Sequence, residues 1–191
     1  QDIFTASKSG ATKFVIDTNG NVGIGTSLPG EKLALAGGNF LQTITSGSVT
    51  EKGTIKDGVG ATQLDGARSV AIAGKYAYVA SLTDDSLSVI DISNPSSPTE
   101  IGTIKDGVGA TLLDGAAYVY VQGRYAYVTS VSDYALTIID ISNPVSPREV
   151  GTIRDDSFGG TATQFNLPYA VVVNGKYAYV TGQNDDALSI I

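Results

Sequence analysis

The ten residues GTIKDGVGAT stand at 53–62 and again, letter for letter, at 102–111. A glycine-rich phrase of this kind can cradle a phosphate with its backbone N–H groups, provided a strand precedes it and a helix N-terminus follows. Nothing that reads as helix follows either copy, and the third counterpart, GTIRDDSFGG at 151–160, loses the glycine spacing. Adjacent carboxylates, Asp84 with Asp85 and Asp185 with Asp186, have the residue types for glycoside hydrolysis. They recur along the chain, however, as structure does and as a unique catalytic pair does not. Asp17, Asn19 and Asn21 open like a calcium loop, and they are the only metal-ligating pattern, a weak one. The twelfth position is Leu28 where an acidic residue is needed, so an Asx-rich hairpin turn is the simpler reading. Asp91 and Asp140, each in IDISNP, read as strand-end carboxylates that accept N–H bonds from the Asn-Pro turn.

The absences narrow the chemistry further. With no His and no Cys among 191 residues there is no Ser-His triad, imidazole base, thiol nucleophile, disulfide or Cys/His zinc site. A net charge of −7 disfavours nucleic acid and anionic bilayers as partners. No apolar run approaches the roughly 20 residues that span a membrane as helix. The chain begins at Gln1 and contains no Met, which reads as a processed form, an excised fragment or a portion of something longer. We expect no enzyme and no cofactor.

The elements that must position these residues are repeated. From Gly53, residues 53–101 answer to 102–150, and a third copy, 151–191, widens the crossing by about three residues and stops early. Each copy reads as four short strands. In the first copy they are SVAIA, YAYVAS, LSVIDIS and TEIGTIK, separated by turns at GK, LTDDS and NPSSP. Four antiparallel strands per unit of about 40–50 residues is the pattern of a β-propeller blade. The expected fold is therefore all-β, with about three propeller-like four-stranded blades, the last incomplete, over 51–191. LSVIDISNPSSPTEIGTI at 87–104 and LTIIDISNPVSPREVGTI at 136–153 resemble the LVIVD family of propeller repeats. In this frame GTIKDGVGAT is the crossing from the outer strand of one blade to the inner strand of the next. TEKGTIKDG at 50–58 is then an outer-strand sequence with no blade before it. Fewer than three complete blades do not make a propeller of the usual 4–8. Either further blades lie outside these residues or neighbouring subunits complete one another.

Residues 1–50 read as a different module. KFVIDT, a turn at Asn19-Gly20 and NVGIGT form a hairpin pattern, followed by KLALAGG. The stretch 11–38 resembles segments of bacteriophage tail fibres and bacterial surface fibres. That resemblance implies a small β assembly module in a homo-oligomer, trimeric or filamentous, with an extracellular, cell-surface or virion location.

The propeller frame puts crossing loops and the turns between second and third strands on one face. That face collects Asp84, Asp85, Asp133, Asp185 and Asp186. Solvated surface is the plain reading; divalent cations, a basic protein or sugar hydroxyls are the alternatives. Tyr134 replaces the second Asp of its turn, and the widened third crossing adds Phe158 and Phe165. These residues are the expected partner-binding face, for a protein receptor or a surface glycan. The sequence thus points to a non-enzymatic structural and adhesive protein. Its alternatives are a carbohydrate-binding or carbohydrate-active propeller, and blades that polymerise by strand complementation.

Overall fold

Valine, isoleucine, threonine and tyrosine dominate the segments between Gly, Asn and Pro turns, and such residues fit a pleated, half-buried surface. The computed structural model describes residues 3–8, 11–16, 18–24, 33–36, 39–42 and 50–191. Two compact units are formed by Gln1–Thr50 and Glu51–Ile191. No α-helix occurs among the described residues.

In the first unit β1 (Phe4–Lys8), β2 (Ala11–Ile16) and β3 (Val22–Ile24) form an antiparallel sheet in that order. β2 and β3 pair Phe14 with Ile24 and Ile16 with Val22 around the turn at Asn19-Gly20. A second hairpin joins β4 (Leu33–Ala36) and β5 (Asn39–Gln42).

In the second unit a short parallel pair, β6 (Lys56–Asp57) with β7 (Gly60–Ala61), precedes the first blade. Blade 1 is β8 (Ala67–Ala73), β9 (Tyr76–Ser81), β10 (Ser86–Asp91) and β11 (Thr99–Asp106). β12 (Gly109–Ala110) adds a parallel fifth strand to its outer edge. Blade 2 is β13 (Ala116–Gln122), β14 (Tyr125–Ser130), β15 (Ala135–Asp140) and β16 (Arg148–Arg154). Blade 3 has three strands, β17 (Pro168–Asn174), β18 (Tyr177–Gly182) and β19 (Ala187–Ile190). Within each blade, neighbours in sequence are neighbours in the sheet. A bulge interrupts the pairing of β10 with β11 between Val89 and Ile90, and that of β15 with β16 between Ile138 and Ile139. The expected all-β, propeller-like fold is the fold observed.

The blades stack face to face. Tyr78, Leu87, Val89 and Ile104 of blade 1 pack on Val119, Val128 and Ile139 of blade 2. Leu136 of blade 2, flanked by Tyr118, Tyr120 and Tyr127, packs on Val171, Val173 and Val180 of blade 3. Blade 2 is covered on both sides, which is why β15 is buried nearly throughout. Tyr76, Tyr78 and Tyr127, in the second strands, belong to this packing, and Tyr78 is buried. Burial pushes the Tyr78 and Tyr127 hydroxyls up from the ordinary tyrosine range.

The repeated phrase has a mechanical explanation. After β6 and after β11 the chain turns back on itself: the Val59 N–H donates to the Lys56 carbonyl, and that of Val108 to the Lys105 carbonyl, each at 3.0 Å. Both turns need left-handed backbone at two glycines, Gly58 and Gly60 (φ 70° and 88°) and Gly107 and Gly109 (φ 67° and 89°). The third crossing reaches the same parallel bridge, Asp155 with Ala162, by a longer route through a 3-10 turn at Asp156–Phe158.

A second glycine role comes from blade contact. A Cβ on Gly102 would lie 2.2 Å from the Pro144 carbonyl oxygen in the NPVSP turn of blade 2, whereas on Gly151 it would meet nothing nearer than Ile138 at 3.9 Å. Gly102→Ala should therefore cost about 1–3 kcal/mol by forcing the blades apart, and Gly151→Ala should be near neutral. Urea unfolding of the two variants measures the difference.

Candidate functional site

A chain that leaves an outer strand to begin the next inner strand carries backbone N–H groups with no sheet partner. Aspartates supply the acceptors. The Leu64 N–H donates to Asp57 Oδ1 at 3.0 Å, that of Leu113 to Asp106 Oδ1 at 2.9 Å, and that of Phe165 to Asp155 Oδ2 at 3.0 Å. One residue further on, the N–H groups of Asp65, Asp114 and Asn166 donate to Asp84, Asp133 and Asp185 at 2.7–2.9 Å. These last three lie in the turns between second and third strands, so crossing loops and turns do share one face. A further bond links blade to blade: Asp85 Oδ1 accepts from the Gly115 N–H at 2.8 Å.

The turns also explain the second Asp of each pair. Asp85, Tyr134 and Asp186 have φ of 55°, 55° and 50°, in the left-handed region that Asx residues tolerate best. Tyr134 holds that position with a different compensation: its ring stacks on Phe158, with centroids 3.9 Å apart and planes 3° from parallel. The Arg154 guanidinium lies 5.9 Å from the Phe158 centroid. It is held there by its Nε, which donates to the Asp133 carbonyl at 2.8 Å, and by the Asp133 carboxylate at 3.6 Å. Phe158 is 41% exposed. Tyr134, Phe158, Asp133 and Arg154 thus form one non-repeating aromatic and cationic patch on the acidic face.

Phe165 does not belong to that patch. It is fully buried, packed with Leu136 and Val171 between blades 2 and 3. It occupies the place of Leu64 and Leu113, as its N–H bond to the crossing aspartate shows. Counting back from the next inner strand, rather than along the widened loop, aligns QLD, LLD and QFN and identifies Phe165 as core. Of the calcium-like pattern, Asn19 and Asn21 lie at the β2–β3 turn, while Asp17 is outside the described residues. Among the described residues no group of three or more acidic side chains is placed to hold a metal ion.

The IDISNP carboxylates hold their own turns. Asp91 Oδ1 accepts from the Ser93 N–H and Asp140 Oδ1 from the Ser142 N–H, at 2.8 and 2.9 Å. Lys75 and Arg124 pair with these carboxylates, and each also lies over the following tyrosine ring at 5.2 Å. Two recurring devices escaped the sequence reading. The carbonyls of Gln63, Leu112 and Gln164 accept from the hydroxyls of Ser88, Thr137 and Ser189, which accounts for polar residues in buried strands. Thr62 donates to Glu100, and Thr111 to Glu149, in a brace 38 residues long within each complete blade. The repeat itself, read as paired columns rather than single motifs, carries the signal for both.

The blade frame coincides with a known repeat. The family model of the LVIVD repeat matches residues 66–106, 115–155 and 169–191. The chain belongs to the LVIVD repeat family. Among solved structures the LVIVD chain is similar to a functionally unknown protein from Desulfotomaculum acetoxidans, with TM-score 0.51, 13% identity, and 96% of this chain and 48% of that one covered. It is also similar to a protein named "putative 6-phosphogluconolactonase" from Bacteroides uniformis, with TM-score 0.51, 15% identity, and 100% and 52% covered. At these identities the likeness shows the fold alone, and the chain spans about half the length of these structures. No curated protein matches it. The family match does not extend to residues 11–38.

Asp140, in its turn, and Asp114 and Asp133, on the acidic face, are shifted in opposite senses. Hydrogen bonds from Ser142, then Arg124, hold Asp140 down to about 2. A depressed carboxylate stabilises the fold fully above its unfolded value of about 3.9 and loses that effect as pH falls through the folded value. Asp114 is raised by burial and by the nearby Asp85 charge, and Asp133 is raised mainly by burial. A raised carboxylate weighs against the fold once ionised. Asp140→Asn should therefore lower Tm at pH 7, with the deficit closing toward pH 2, and Asp114→Asn should raise Tm at pH 7 with no gain at pH 3. Thermal melts across that range check both signs.

Proposed function

We propose that this LVIVD chain is a non-enzymatic structural and adhesive protein of an extracellular, cell or virion surface. Its blades present the acidic loop face to a receptor, and residues 1–50 gather several chains. One observation carries the reading. Of the paired carboxylates that could have suggested catalysis, Asp84, Asp85 and Asp185 accept backbone N–H bonds, whereas the Tyr134–Phe158–Arg154 patch occurs once and has a partly exposed ring. An aromatic face beside a guanidinium and a carboxylate suits a sugar ring or a peptide side chain, which stack on aromatics and hydrogen-bond at their edges. Residues 11–38 favour the fibre location through their resemblance to surface-fibre segments. Weak single sites on several joined chains gain avidity from copy number.

The patch is tested on an array of surface glycans and on intact cells. Phe158→Ala should reduce binding about tenfold or more, a difference of about 1.4 kcal/mol, with stability lowered only by the loss of its stack on Tyr134, about 0.5–1.5 kcal/mol, and the fold retained. Binding unaffected by Phe158→Ala and Tyr134→Ala would refute the patch. The assembly module is tested by native mass: deleting residues 1–50 should lower the number of chains per particle, and an unchanged number would refute that role.

A further inference from the structure

The joint of blades 1 and 2 and the joint of blades 2 and 3 share one clasp and differ at three adjoining residues. In both, the N–H of the crossing residue, Asp114 or Asn166, donates to the following turn at Asp133 or Asp185. The carbonyl of the next residue, Gly115 or Leu167, accepts from the N–H of Val131 or Gln183 at 3.0 Å. These bonds fix the equivalence of the two joints. At the first, Asp85 reaches across from blade 1, and its Oδ1 takes the Gly115 N–H at 2.8 Å. It also faces Asp114, whose carboxyl is raised by burial and by the Asp85 charge. At the second, the same three places hold Tyr134, Asn166 and Leu167. Both facing carboxyls are gone together.

The exchange leaves a donor open. Tyr134 brings no carboxylate to the Leu167 N–H, and among the described residues nothing else accepts from it. Leu167 is half-buried, in a place where a backbone N–H ordinarily finds a partner in the chain, in water or in a ligand. Its φ of 54° keeps the left-handed backbone of Gly115, at 71°, although a branched side chain directly before Pro168 is strained there. Tyr134 is held in the same region at 55°. Residues kept in strained backbone cluster where ligands are clamped.

The groups beside this donor limit what can fill it. Tyr134 carries the stack on Phe158, an aromatic surface for a ring. The carboxylates close by are spent on the chain: Asp133 on the Asp114 N–H and Arg154, Asp155 on the N–H groups of Ser157 and Phe165, Asp185 on that of Asn166. Their charge repels an anionic acceptor, so the group that stands in for Asp85 is a neutral oxygen. A carbonyl is the uncharged counterpart of a carboxylate oxygen. We propose that the joint of blades 2 and 3 binds an N-acetylated amino sugar, its ring against Phe158 and its acetamido carbonyl accepting from the Leu167 N–H. This assignment rests on the Tyr134 and Phe158 patch being the receptor contact, and it names the class of sugar the patch takes.

Nuclear magnetic resonance of the whole chain, titrated with the methyl glycosides of N-acetylglucosamine and of glucose, reads the site. The N-acetylated glycoside should shift the Leu167 amide and bind about tenfold or more tighter than the glucoside, the discrimination of one well-placed hydrogen bond. Without ligand, the Leu167 amide should exchange faster than that of Gly115. Tyr134→Asp should restore the bond of the neighbouring joint, slow that exchange and remove the preference between the glycosides. Tyr134→Ala should weaken both glycosides and keep the preference. Equal binding of the two glycosides to the unaltered chain, or a Leu167 amide as protected as Gly115, would overturn the proposal even where Phe158→Ala still abolishes binding to cells. A Leu167 shift from a capped dipeptide but not from the N-acetylated glycoside would overturn it in favour of a peptide ligand. Phe158→Ala without effect on either glycoside would instead refute the patch reading, and this assignment with it.

Discussion

The structure depends on how the backbone passes from blade to blade. Between an outer strand and the next inner strand the chain must run along the edge of the stack, where its N–H groups have no ladder to join. Each passage is closed by two carboxylates, one on the crossing itself (Asp57, Asp106, Asp155) and one on the adjoining turn (Asp84, Asp133, Asp185). An unpaired N–H at such a site costs on the order of 1–3 kcal/mol, so the acidity of the loop face follows from the fold. The net charge of −7 is in large part the consequence of repeating that clasp.

Once the passages are fixed, packing follows in register. Every crossing delivers an inner strand whose alternate residues face the preceding and following blades, and the same columns are filled in each copy: Tyr78 and Tyr127, Leu87 and Leu136, Val119 and Val171. The third passage shows how much the scheme tolerates. It is longer and contains a 3-10 turn, yet it ends with Asp155 bound to the Phe165 N–H and with Phe165 in the core position. The added length is pushed to the surface, where Phe158 finds Tyr134. A structural clasp that holds its two ends fixed frees the middle of the loop to vary, and that is where recognition belongs in a repeat protein.

The repeat made much of this legible. Strand order, the turns, the blade-to-blade crossing and the Asx turn at Asp91 and Asp140 are all visible in the aligned copies, because each rests on local residue types. Phe165 sits in the core rather than on the loop face because the residues that widen the crossing precede it and leave its spacing to the following strand unchanged. Ser88 and Thr137 gave no signal as hydroxyl donors, since their acceptors are carbonyls of another segment, and a carbonyl carries no side-chain signature. The Thr62–Glu100 brace was hidden by its separation of 38 residues, although the same two residue types recur in the next copy. The role of Tyr134 as the partner of Phe158 depends on a ring orientation that only the folded chain sets.

Amide hydrogen exchange at Leu64, Leu113 and Phe165 tests the carboxylate clasp most directly. These three N–H groups have side-chain acceptors only, so the account predicts that they exchange as slowly as amides within the blade strands. It also predicts that Asp106→Ala releases Leu113 while Leu64 and Phe165 stay protected. Rapid exchange at all three in the unaltered chain, or protection of Leu113 that survives the loss of Asp106, would contradict it.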